Sequence, residues 1–112
     1  MPIANEQLQA HRFLSEMQHD SYFPADLVQK GQQILIRLCE TIEAQRPDSL
    51  DALYALTHAA TDEFNALAGE FEANDSEIET AARENIGADF RIIAAAYGFQ
   101  ADSEELIATR DW

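Results

Sequence analysis

Apolar side chains recur at intervals of three and four residues along most of the chain, and nowhere do they alternate strictly with polar ones. That period is the mark of amphipathic helices and predicts an all-α protein. The cleanest stripe is Leu27, Val28, Ile34, Leu35, Leu38 and Ile42, which predicts a helix over residues 24–44. Proline suits its first turn, and Arg46-Pro47-Asp48 ends it. Gly31 lies on the stripe, where the missing side chain lets another helix come close. A second long helix is expected over residues 49–71, capped by Asp48 or Ser49, with Leu50, Leu53, Tyr54, Phe64, Leu67 and Phe71 on its inner face.

Two further helices flank this pair. Asn5 is a suitable N-cap for a helix over residues 5–17, with Phe13, Leu14 and Met17 on its apolar side. Ser76-Glu77-Ile78-Glu79 reads as a capping box that opens a helix through Tyr97, stopped by Gly98. Arg83 is one turn from Glu79 and within reach of an ion pair. Asp102 can cap a short helix through Ala108, with Glu104 and Glu105 in its favourable first turn. The connections are short, so neighbouring helices are expected to run antiparallel. The pattern predicts one domain over residues 1–112: a compact four-helix bundle or orthogonal helical array with a short C-terminal helix.

Composition changes this picture at one point, the charge. The chain has 21 Asp and Glu against 7 Lys and Arg, a net of −14, while its 46% apolar content is that of a folded protein. Residues 1–56 carry −4 and residues 57–112 carry −10. Such a field repels phosphate backbones and anionic lipid and attracts basic partners, so it argues against nucleic acid and membrane surfaces as ligands. It also opposes tight self-association, which predicts a monomer or a weak homodimer. The N-terminal segment has neither the basic nor the apolar region of a secretion signal, and no stretch reaches membrane-spanning length, so a cytoplasmic protein is expected.

Candidate chemistry is sparse. Glu16-x-x-His19 has a di-iron spacing, but neither His11 nor His58 repeats it. There is no zinc or calcium motif and no phosphate-binding glycine loop. The lone Cys39 sits in an apolar run that predicts a buried, inert thiol. No catalytic residue, metal site or cofactor is therefore assigned. Two clusters remain. Tyr54, His58, Thr61 and Asp62 share one helix face and are assigned as a candidate ligand pocket, in which Asp62 could orient His58. Glu70, Glu72, Asp75 and Glu77 crowd one turn and are assigned as a candidate partner-binding acidic surface. The aromatic residues Tyr22, Phe23 and Trp112, in connecting segments, are expected to fold back onto the core.

The strings Tyr22-Phe23-Pro24, Leu53-Tyr54-Ala55-Leu56-Thr57-His58-Ala59-Ala60, Ser76-Glu77-Ile78-Glu79-Thr80-Ala81 and Arg110-Asp111-Trp112 resemble those of a family of short, acidic, all-helical bacterial proteins of unknown function. The resemblance spans almost the whole chain and implies a helical domain without implying an activity. Two functional readings follow from the residues. The first is a non-enzymatic domain that binds a basic macromolecular partner, as an inhibitor, immunity protein or adaptor does. The alternative is a small-molecule-binding or enzymatic bundle with a pocket near His58.

Overall fold

The computed structural model describes residues 3–112. Among them lie six helices and no strand: α1 (Glu6–Ala10), α2 (Ser15–Gln18), α3 (Ala25–Gln45), α4 (Leu50–Ala73), α5 (Thr80–Ala96) and α6 (Ser103–Leu106). The protein is all-α with a short C-terminal helix, as its periodicity requires. Its radius of gyration, 13.3 Å, equals the roughly 13 Å of a compact chain of this length.

The frame is the hairpin of α3 and α4. Ser49 ends the connection by accepting the Ala52 N–H on its hydroxyl at 3.2 Å, the cap its residue type favours. Lys30–Glu70 and Arg37–Glu63 pair across the hairpin at matching distances from the turn, so the two helices run antiparallel. At Gly31 a Cβ would lie 2.8 Å from Leu14 Cδ1 and 3.2 Å from Phe64 Cε1. Glycine there lets Leu14 and Phe64 press directly onto the α3 backbone.

Helix α5 lies across this hairpin. Its inner face is Ala82, Ile86, Phe90 and Ile93, all with no exposed surface, and the Phe90 ring meets Phe64 at 6.0 Å. The helix ends at Gly98, whose φ of +85° only glycine adopts readily. Gly98 N–H donates to Ala95 O and Phe99 N–H to Ala94 O, a Schellman closure. The chain then returns over α4 and α5. Asp102 caps α6 by accepting the Glu104 and Glu105 N–H groups, and Leu106 and Ile107 enter the core.

The structure corrects several details. The helix expected over residues 5–17 is broken: α1 stops at Ala10, and Leu14 turns left-handed, at φ 53°, before α2 begins. The predicted capping box at Ser76 does not form, because Ser76 is already used to end α4. Asp75 adopts the left-handed conformation, and Ser76 N–H donates to Phe71 O in a second Schellman closure. The Ser76 hydroxyl is buried and donates to Tyr22 O, so α5 starts only at Thr80. Among the three aromatic residues of the connections, Phe23 is buried and Trp112 half-buried against Phe64, but Tyr22 stays 47% exposed. Leu50, expected on the inner face and the first residue of α4, is likewise exposed, whereas Leu53 in the same turn is buried.

Candidate functional site

The polar face of α4 is occupied by the returning C-terminal segment. His58 Nε2 lies 2.7 Å from Glu105 O, and its ring stacks on Tyr54 at 6.1 Å. The Tyr54 hydroxyl accepts the Asp102 N–H at 3.1 Å. Buried Thr61 donates to Thr57 O at 2.8 Å, with Leu106 O at 3.4 Å from the same hydroxyl. Asp62 is exposed and faces Asn65, 3.5 Å away, rather than His58. Asn65 in turn donates to Thr109 O and accepts the Asp111 N–H. The structure thus brings Tyr54, His58 and Thr61 together, with backbone groups of residues 102–106 as their partners. Asp62 belongs to a neighbouring contact one turn further on. The polar atoms of Tyr54, His58 and Thr61 are thus engaged by the protein's own backbone.

The acidic cluster is divided. Glu70 is neutralised by Lys30 at 2.5 Å. Glu72, Asp75 and Glu77 are exposed around the end of α4 and form no ion pair among the described residues. The Glu77 carboxyl is held above its usual range, first by a hydrogen bond with the Glu79 carboxyl and then by repulsion from Glu79, with a further push from Glu72. The ion pair expected between Arg83 and Glu79 does not form. Arg83 instead lines a groove on the other side of α5.

Two polar anchors escape a reading by motif. Asn85 and Asp89 sit on the buried face of α5, in the row of Ala82, Ile86, Phe90 and Ile93. Asp89 accepts the Leu14 N–H on Oδ2 and contacts His11 Nε2 through Oδ1, both at 2.7 Å; Asn85 Oδ1 accepts the Met17 N–H at 3.1 Å. Together they cap α2 from outside and explain the break before it. Burial pushes the Asp89 carboxyl above its usual range, while the hydrogen bonds from Leu14 and His11 pull the other way. Their signal in the sequence is polarity on an apolar stripe, one helical turn apart.

The second anchor is Glu43 on α3. Its carboxylate accepts the Tyr97 hydroxyl at 2.5 Å and the Ala4 and Asn5 N–H groups at 2.9–3.1 Å, tying the N-terminal segment and α5 to the hairpin. Burial raises the Glu43 carboxyl, but these hydrogen bonds outweigh it and the net shift is downward. Tyr97 is pushed up by burial and then by Glu43, and burial takes the enclosed Cys39 thiol up to about 12, which keeps it protonated and inert. A depressed folded-state pKa contributes stability above the ordinary carboxylate range that is lost as pH falls through the folded value. Glu43→Gln is therefore expected to lower the unfolding free energy at neutral pH by about 1 kcal/mol, allowing for its partial exposure. The gap from wild type should close in acid, as urea titrations at the two pH values would show.

Among the described residues, no group of three or more His, Cys, Asp or Glu side chains is placed to hold a metal ion, and no helix is long and apolar enough to cross a membrane. His19, of the Glu16-x-x-His19 pair, is exposed and turns back to Ser15 O. The fold and the candidate site define a small all-α protein whose most conspicuous polar row secures its own C-terminal segment. Over residues 7–112 the sequence matches the model of a family of unknown function, DUF5713, and the chain belongs to that family. No curated protein and no solved structure matches it.

Proposed function

We propose that this is a non-enzymatic interaction domain that binds a basic macromolecular partner, in the manner of an inhibitor, immunity protein or adaptor, through the corner between α4 and α5. The observation that supports this reading is the electrostatic stress at that corner. Glu72, Asp75, Glu77 and Glu79 are exposed together, the Glu77 carboxyl is raised by its hydrogen bond with Glu79 and by repulsion from Glu79 and Glu72, and none of the four forms an ion pair among the described residues. Lysines or arginines of a partner would remove that repulsion on contact, a gain that appears only in the complex. Glu70, held by Lys30, frames the surface, and Glu72, Asp75 and Glu77 present it. The net charge of −14 steers basic molecules toward it and opposes self-association beyond a weak dimer. The alternative, a pocket near His58, draws less support, since the polar atoms there are engaged by residues 102–106.

The test is capture from lysate on immobilised wild type, Glu72→Gln/Glu77→Gln, and a control altered elsewhere, Glu6→Gln/Asp51→Asn. A basic protein retained at low salt, released at high salt, and lost with the first pair but kept by the control is the expected result. Equal retention by both pairs, or none by wild type at low salt, rejects the surface.

A further inference from the structure

The cations of this chain are few, and their placement is uneven. Residues 57–112 contain three, Arg83, Arg91 and Arg110, and all three line a single groove of about 520 Å³ between α5 and the C-terminal segment. Arg83, Gly87 and Arg91 are spaced four residues apart on α5, so the two arginines stand at the ends of a ridge about 12 Å long with a glycine between them. Gly87 leaves a saddle: a Cβ there would have Ile107 Cδ1, at 3.6 Å, as its nearest contact. Arg110 faces this saddle from the opposite wall, resting 6.0 Å over the Trp112 ring with Glu104 3.5 Å away.

Hydrogen-bond donors are left over in this groove. Arg83 and Arg91 form no ion pair among the described residues, although 21 acids are present in the chain and Glu16, Glu84 and Glu104 line the same groove. The Arg83 Nε is buried without any acceptor. Asn85 uses its oxygen on Met17 N–H, and its amide nitrogen forms no hydrogen bond among the described residues. A buried donor without an acceptor costs on the order of 1–3 kcal/mol, so the Arg83 Nε calls for an acceptor from outside the chain, with the exposed Arg91 beside it in the same groove. Guanidinium groups pair best with planar or tetrahedral oxyanions.

We propose that this groove binds a small molecule through a single phosphate or carboxylate group, seated over Gly87 between Arg83 and Arg91 and covered by Arg110. The three glutamates that also line the groove disfavour a polyanion and suit hydroxyl or amino donors on the rest of the ligand. A net charge of −14 on the protein selects in the same direction, toward ligands of low charge. The groove's volume is that of a metabolite site. It shares no residue with the acidic corner, so the two proposals stand or fall separately.

The test is a titration of the full-length protein, followed by backbone amide resonances, with inorganic phosphate and with lactate. Saturable shifts confined to residues 83–91 and 103–110 are expected with at least one of them. Phosphate alone marks a phosphorylated ligand, lactate alone a hydroxy acid, and either upholds the site. Arg91→Gln should weaken binding by about tenfold, the loss of one charge-assisted contact. Gly87→Leu should abolish it by filling the saddle with all three arginines kept. Arg12→Gln/Arg46→Gln, which removes two arginines that lie outside the groove and form no ion pair among the described residues, should leave it unchanged. Absence of saturable shifts with both probes overturns the proposal. So does equal weakening by the Arg12/Arg46 control, which would mark a diffuse charge effect.

Discussion

Asp89→Ala is expected to cost about 2–4 kcal/mol of unfolding free energy, from a buried N–H left without an acceptor and the cavity left beneath α2. Asp89 is 2% exposed and carries three duties. It accepts the buried Leu14 N–H, holds His11, and fills space beneath α2. Alanine leaves the Leu14 N–H without an acceptor at a residue already in the left-handed conformation, which for a leucine is itself unfavourable. Asp89→Asn keeps an oxygen for Leu14 and should cost much less, about 1 kcal/mol. Denaturant unfolding of both variants provides the comparison, and hydrogen exchange should show protection lost first over residues 14–18. A cost below about 1 kcal/mol for alanine would mean that α2 holds without its cap.

Buried Asp89 and half-buried Glu43 respond to pH with opposite signs. Asp89 has a raised folded-state pKa, so its ionisation costs stability above that value and the cost disappears on acidification. Glu43 is depressed, and its contribution is lost on acidification. Asp89→Asn should therefore narrow its deficit against wild type as the pH rises past the folded value of Asp89, the reverse of the trend expected for Glu43→Gln.

How much of this fold is legible in the sequence depends on how local its causes are. Helix α3 is legible almost to the residue, because its stripe, its opening Pro24 and its ending Arg46-Pro47 all lie within the segment. The break between α1 and α2 is not, because it is imposed by Asp89 and Asn85, about 70 positions further along the chain. Ser76 misleads for a different reason. The same residue can open one helix or close another, and the left-handed Asp75 decides for closure. The polar row on α4 is visible as a cluster, since Tyr54, His58 and Thr61 share a face by spacing alone. Its occupant is invisible from spacing, because nothing local states that residues 102–106 return to that face. The arginine groove is hidden similarly: Arg83 and Arg91 share a ridge, but Arg110 reaches it only through the turn at Gly98.

Leu106→Ala tests that return directly and is expected to cost about 2–5 kcal/mol, the range for a fully buried leucine. Leu106 has no exposed surface, and its carbonyl lies 3.4 Å from the Thr61 hydroxyl. The same segment satisfies His58 through Glu105 O and Tyr54 through Asp102 N–H. Loosening it therefore loses apolar burial and strands polar groups on α4 together. Trp112, the protein's only tryptophan, reports on the event, since it packs edge-on to Phe64 at 6.2 Å and would be released with the segment. In Leu106→Ala its emission should shift to the red at denaturant concentrations below those that unfold the helices. Thr61→Val, which removes only the hydroxyl, should cost about 1 kcal/mol with no separate tryptophan transition. If the tryptophan and helix signals of Leu106→Ala fall together, the segment unfolds only with the whole. If stability hardly changes, α4 does not need this cover, and the polar row around His58 is free to serve a ligand instead.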